Sequence, residues 1–100
     1  MITRIYRVEI NPELREEFET KFRQVADEFV DGREGLVSVS ICKPTEWSPN
    51  EYVMVTIWKD VASVKQFAGE TWGLPVIPDD MKRFTRQCWL HQFENWEQPE

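Results

Sequence analysis

Histidine occurs once in this chain, at position 91, and cysteine twice, at 42 and 88. Neither cysteine belongs to a CxxC pair, so zinc-finger and iron–sulfur spacings are absent. Both thiols fall in strand-like runs, where a buried free cysteine acts as a small hydrophobe. A Cys88–His91 catalytic pair is disfavoured, because residues three apart on a strand point to opposite faces. Long apolar runs are missing too. No stretch of 18 apolar residues exists, and the opening "MITRIYRVEI" alternates where a signal peptide would carry an unbroken apolar segment. The expectation is a soluble, cytoplasmic protein. Positive charge is in short supply: 12 Lys and Arg against 18 Asp and Glu leave a net charge of −6. That balance lacks the footprint that attracts phosphate, which argues against nucleic acid and anionic membrane surfaces as partners.

Aromatic residues are abundant instead. Five Trp, six Phe and two Tyr load a 100-residue chain with apolar rings. They imply a well-filled core, a self-association surface or a ring-lined pocket. The length fits one domain over 1–100, with a polar tail at 95–100. A domain this small buries only about two-thirds of its unfolded surface, so oligomerisation would add stability.

"ITRIYRVEI" (2–10) alternates as a strand, with Ile2, Arg4, Tyr6, Val8 and Ile10 on one row. Asn11 suits a helix N-cap and Pro12 the first helical position. Leu14, Phe18, Phe22, Val25 and Phe29 then form one apolar stripe, ended by Gly32 and Gly35. "LVSVSICKP" (36–44) is a second strand, "TEWSPN" a turn, and "EYVMVTIW" (51–58) a third strand. Asp60 caps a second helix with apolar positions Val61, Val64, Phe67 and Ala68, stopped by Gly69. Residues 70–84 are irregular, with Pro75, Pro78 and one helical turn at 79–83; "TRQCWLHQFE" (85–94) is the last strand.

The order β-α-β-β-α-β predicts an α+β, ferredoxin-like fold: a four-stranded antiparallel sheet with both helices on one face. Val37, Val39 and Ile41 with Val53, Val55 and Ile57 make an aliphatic set, assigned to the helix-free face. Ser38, Ser40 and Cys42 with Tyr52, Met54, Thr56 and Trp58 make a mixed set, assigned to the helices. A helix-free face this aliphatic predicts a homodimer through the sheet.

Several motifs in this frame resemble the antibiotic biosynthesis monooxygenase (ABM) family: "TIWKD" at 56–60, "FAGETW" at 67–72 followed by "VIP" at 76–78, and "HQFE" at 91–94. The resemblance runs from residue 2 to 94. It implies a dimeric α/β barrel in which two sheets face each other and each subunit keeps a cavity between sheet and helices. Some members oxygenate phenolic or anthrone-like compounds with no metal, flavin or haem. A tryptophan at the position of Trp58 faces the cavity in such members, which places Tyr52, Met54 and Thr56 beside it. Haem-degrading members use an Asn on the first strand and a Trp and His on the second helix. This chain has no Asn on its first strand, Phe67 on the helix, and its single histidine on the last strand.

The resemblance implies a small aromatic ligand, no cofactor and no metal. Trp58 and Phe67 would wall the cavity, Tyr52, Thr56 and His91 would handle protons, and Trp72 would cover the mouth. Tyr6 and Met54 would touch substrate, and Arg86 would hold a carboxylate or an oxyanion. Each has a plainer reading. Trp58 would be packing, the tyrosines core rings with one wet end, His91 a structural strand histidine, Arg86 a surface ion pair, and Trp72 a plug on the second helix. Alternation leaves open which face the row of Gln87, Trp89 and His91 takes. Two further functions stand beside oxygenation: a non-catalytic ligand-binding or stress-related module, and a dimer whose cavity is filled by its own rings.

Overall fold

Local chemistry sets the element boundaries in the computed structural model, which describes residues 1–29 and 31–96. The end of the polar tail, 97–100, lies outside them. Strand β1 (Ile2–Ile10) stops at Asn11, whose side chain accepts the Glu13 N–H while Pro12 opens a 3-10 turn over Pro12–Leu14. Helix α1 (Arg15–Phe29) follows, then β2 (Leu36–Cys42) and β3 (Glu51–Trp58). Asp60 accepts from the Ser63 backbone N–H at 2.8 Å and so caps α2 (Val61–Ala68), which ends on Gly69 at φ 78°. A 3-10 segment over Asp79–Phe84 leads into β4 (Thr85–Glu94).

The strands form one antiparallel sheet in the order β2-β3-β1-β4. This is the ferredoxin-like α+β arrangement. Ile2, Arg4, Val8 and Ile10 are buried against the helices, as are Tyr52, Met54, Thr56 and Trp58. Phe18 and Phe22 from α1 meet Tyr52, Val8 and Ile10 in the larger core cluster. Fully burying side chains of that size contributes roughly 1.5–3 kcal/mol each. A second cluster joins Ile2, Trp58 and Val64, with Phe67 and Trp72 packed on it.

Strand β2 departs from the alternation-based reading. A bulge between Leu36 and Ser38 leaves Val37 unpaired, and Val39 then lies opposite Thr56 and Ile41 opposite Met54. Val39 and Ile41 therefore share the helix side, while Ser38, Ser40 and Cys42 join Val53, Val55 and Ile57 on the open face. The apolar surface of that face comes from Ile5, the β3 valines and Ile57, and Trp89 and Phe93, not from β2. Cys42 is exposed, contrary to its expected burial, whereas Cys88 is partly buried against the core. Among the described residues, no helix is long and apolar enough to cross a membrane.

Candidate functional site

The helix side of the sheet is not fully packed. A chamber of about 440 Å³ lies between β1, β3, α1 and the irregular segment that carries Val76, Ile77 and Pro78. Its floor is Tyr6 and Met54 from the sheet, and α1 gives a wall of Phe18, Phe22, Val25 and Phe29. Phe67 of α2 closes one end, and Lys21, Gln24, Glu28, Arg33 and Asp80 ring the mouth. A recess of about 40 Å³ adjoins it, sharing Tyr6, Phe29, Met54, Phe67 and Val76 and adding Arg4, Thr56, Pro75 and Leu90. The chamber volume falls within the usual range for a small-molecule site. A core filled entirely by its own rings does not describe this interior.

Four of the residues singled out from sequence come together here: Tyr6, Met54, Thr56 and Phe67. Tyr6 is the hydroxyl on the chamber floor. Burial pushes its pKa up to about 12, with Cys88 adding to the rise and a hydrogen bond with Thr85 opposing it. At neutral pH it is a phenol that donates or accepts a hydrogen bond, and not a base.

The others lie elsewhere. Trp58 is fully buried but borders neither cavity. Its ring stacks on Phe67 at 5.3 Å and meets Phe29 edge-on at 6.2 Å, and its indole N–H donates to Thr56 Oγ1 at 2.9 Å. Trp58 thus stands behind the rings that form the wall. Tyr52 points its hydroxyl along α1, donating to Glu19 and accepting from Arg15 Nη1 at 3.1 Å. Burial first and the Glu19 hydrogen bond second raise its pKa, outweighing the opposing pull of Arg15, so the phenol stays protonated.

His91 pairs with Ile5, which places it on the open face with Phe93 stacked 6.4 Å away. It does not share a side of the sheet with Tyr6 or Trp58, so the expected proton handler is removed from the chamber. Arg86 sits at the irregularity where the β1–β4 register shifts, exposed, with Glu9 3.9 Å away. It too is remote from the chamber. Trp72 packs on the Trp58–Val64 cluster and contributes its backbone carbonyl, while Val76, Ile77 and Pro78 border the mouth.

Arg4 was missed. It is 5% exposed, in the row between Ile2 and Tyr6. Its Nη1 donates to Trp72 O at 2.6 Å and Gln92 Oε1 at 2.7 Å, and its Nη2 to Leu74 O at 3.2 Å. These bonds tie the 72–74 loop to the sheet. The sequence signal was a charge within an otherwise apolar and aromatic strand row. At the mouth, Arg33 lies over both Phe29 and Phe67, with its guanidinium carbon 4.5 and 4.7 Å from the ring centroids. Among the described residues, no group of three or more His, Cys, Asp or Glu is placed to hold a metal ion.

The sequence matches the family description "Antibiotic biosynthesis monooxygenase" over residues 1–86. The chain belongs to this family. No curated protein matches it significantly. Among solved structures, this ABM chain is similar to a variant of SnoaB, a cofactor-independent oxygenase from Streptomyces nogalater. That pair has a TM-score of 0.72 and 17% identity, covering 99% of this chain and 97% of the other. It is similar to MhuD, a haem degrader from Mycobacterium tuberculosis seen with two haems in its active site, at a TM-score of 0.72 and 18% identity, covering 100% of both chains. A conserved protein from Methanosarcina mazei Go1 gives 0.74 at 15% identity, with 95% and 92% covered. At these identities the likeness is one of ABM fold.

Proposed function

We propose that this ABM-family chain takes a small, mostly apolar aromatic or phenolic compound into the chamber and acts on it as a cofactor-independent monooxygenase. The observation that carries the reading is the 440 Å³ chamber, walled by phenylalanines and floored by the Tyr6 hydroxyl. In such a reaction an activated ring methylene loses two hydrogens and gains one oxygen atom from O2. The second oxygen atom leaves as water, and the substrate supplies all the electrons. The protein's part is to hold the ring, orient its oxygen by a hydrogen bond from Tyr6, and keep water from the intermediate.

Haem does not fit this chamber. Its lining offers no histidine or cysteine, His91 lies across the sheet, and Tyr6 with a pKa near 12 does not supply a phenolate ligand. We further propose that two copies associate through their open faces, where Ile5, Val53, Val55, Ile57 and Phe93 present apolar surface. Such a dimer leaves each chamber within its own subunit.

A second reading, a ligand-binding module without turnover, is favoured by one feature: the chamber floor carries no group that is basic at neutral pH. Oxygen uptake separates the two. The metal-stripped protein would be assayed against hydroquinones and anthrones beside Val25→Trp, whose indole would fill the chamber from α1. Uptake above the autoxidation blank that Val25→Trp abolishes supports the oxygenase. No uptake, with ring binding still measured by calorimetry, establishes the binding module instead.

A further inference from the structure

Among the described residues, Arg4 carries a buried positive charge with no internal counterion. Each acceptor of its hydrogen bonds is neutral: two backbone carbonyls and the Gln92 amide. No carboxylate lies within ion-pair distance of it among the described residues, although the chain has 18 Asp and Glu. Arg7, on the opposite row of the same strand, is bonded to Glu51 at 2.6 Å. The pKa directions agree with this difference. Glu51 raises Arg7, while Arg4 is lowered by burial alone. A guanidinium stays charged even so, and burying an unneutralised charge is costly unless something pairs with it.

Two features direct that charge at the recess. Arg4 borders it, and only three of the five guanidinium N–H groups are taken up by the bonds above. Gln92 is the second feature. It is the neutral isostere of glutamate, positioned so that one atom change would place a carboxylate oxygen 2.7 Å from Nη1. It also donates to the Trp72 carbonyl at 3.0 Å, which fixes the amide's orientation. The protein thus holds the guanidinium in place without neutralising it.

We propose that the chamber's ligand is an aromatic anion, whose carboxylate or ionised oxygen occupies the recess against Arg4 while its rings lie among Phe22, Phe29 and Met54. This deepens the proposed function by naming the ligand class, and it rests on the chamber being a ligand site, whether or not turnover follows. A charge-assisted hydrogen bond is about twice as strong as a neutral one. Arg4 is therefore a selectivity residue for charge, and Arg33 at the mouth is a more solvated cation with a smaller effect.

Calorimetry with 2-naphthoate and its neutral analogue 2-naphthylmethanol at pH 7 tests the idea on the whole chain. The expected result is that wild type binds the anion at least tenfold more tightly than the alcohol. Arg4→Gln and Gln92→Glu should each erase that preference with little change in alcohol binding. Gln92→Glu supplies an internal carboxylate and keeps Arg4, so it remains informative if Arg4→Gln does not fold. Arg33→Gln should keep most of the preference. Equal binding of both probes by wild type overturns the inference but leaves the chamber reading standing, as does a preference that survives Gln92→Glu. Failure of both probes to bind overturns the chamber reading and the inference together. Oxygen uptake without any anion preference overturns the inference alone.

Discussion

Thr56→Val should destabilise the protein even though it removes one hydroxyl and adds one methyl. The Thr56 oxygen accepts the indole N–H of Trp58 at 2.9 Å, and both residues are almost wholly buried. Valine keeps the shape and removes the acceptor, leaving an N–H with no water to replace it. An orphaned buried donor costs about 1–3 kcal/mol. The buried methyl returns up to about 0.8 kcal/mol. The net loss is about 0.5–2 kcal/mol, and at about 4–8 °C per kcal/mol for a domain of this size the melting temperature should fall measurably. Urea unfolding at one fixed protein concentration reads it directly. Trp58→Phe completes a double-mutant cycle: with the donor gone, Thr56→Val should become nearly neutral, a coupling well above the roughly 0.3–0.5 kcal/mol scatter of independent sites. Thr56→Val as stable as wild type, or additive substitutions, would refute the assignment of Trp58 to the layer behind the wall. The same geometry means that Trp58→Ala should cost about 3–5 kcal/mol of stability. Lost activity in that variant would report the fold and not the chemistry.

Other outcomes follow from the same structure. Gly35→Ala should lose at least about 1–2 kcal/mol, since its φ of 83° disfavours a side chain. An added Cβ would also collide with the Ser63 side chain, and urea unfolding would register both effects. Tyr52→Phe should cost about 1 kcal/mol by removing the hydroxyl between Arg15 and Glu19, while leaving 2-naphthylmethanol binding unchanged. Asp60 titrates below its ordinary 3.8 because the Ser63 hydroxyl and backbone N–H stabilise its carboxylate. Its contribution to stability is therefore complete above the unfolded value and lost as pH falls through the lower folded one. Asp60→Asn should flatten that acid limb of a stability–pH curve measured by urea midpoint.

Much of this architecture was legible because two periodicities coincide with strong punctuation. Asn11–Pro12, Asp60 and Gly69 mark helix ends, and Phe18 and Phe22 mark the buried stripe of α1. The Tyr52-to-Trp58 row likewise reaches the helix side assigned to it, and the even row of β1 lies beside it. What alternation cannot supply is the phase between strands. The bulge at Val37 reverses which row of β2 faces the helices, and hydrogen-bond register alone puts His91 opposite Ile5. Trp58 was readable as a ring on the helix side, but its place behind the wall depends on its contacts with Phe67 and Phe29. Arg4 was the overlooked signal, since a single arginine among Ile2, Tyr6, Val8 and Ile10 breaks the apolar pattern of a buried row.

Strand β1 serves two surfaces through one ladder: Arg4 borders the recess and Tyr6 the chamber, while Ile5 and Arg7 look out of the open face. Inserting or deleting one residue ahead of them would exchange the two sets at a stroke, bringing Arg7 inside and turning Arg4 outward. The strand can therefore diverge by substitution, one position at a time, but hardly by a change of length. The irregular stretch from Glu70 to Pro78 belongs to no ladder and is tied to the sheet through the backbone carbonyls that Arg4 and Gln92 grip at Trp72 and Leu74. Residues beyond that grip can be lengthened or shortened at small entropic cost. Divergence of the chamber mouth among descendants of this chain should accordingly be written as insertions and deletions after Leu74, and divergence of its floor as point changes in β1.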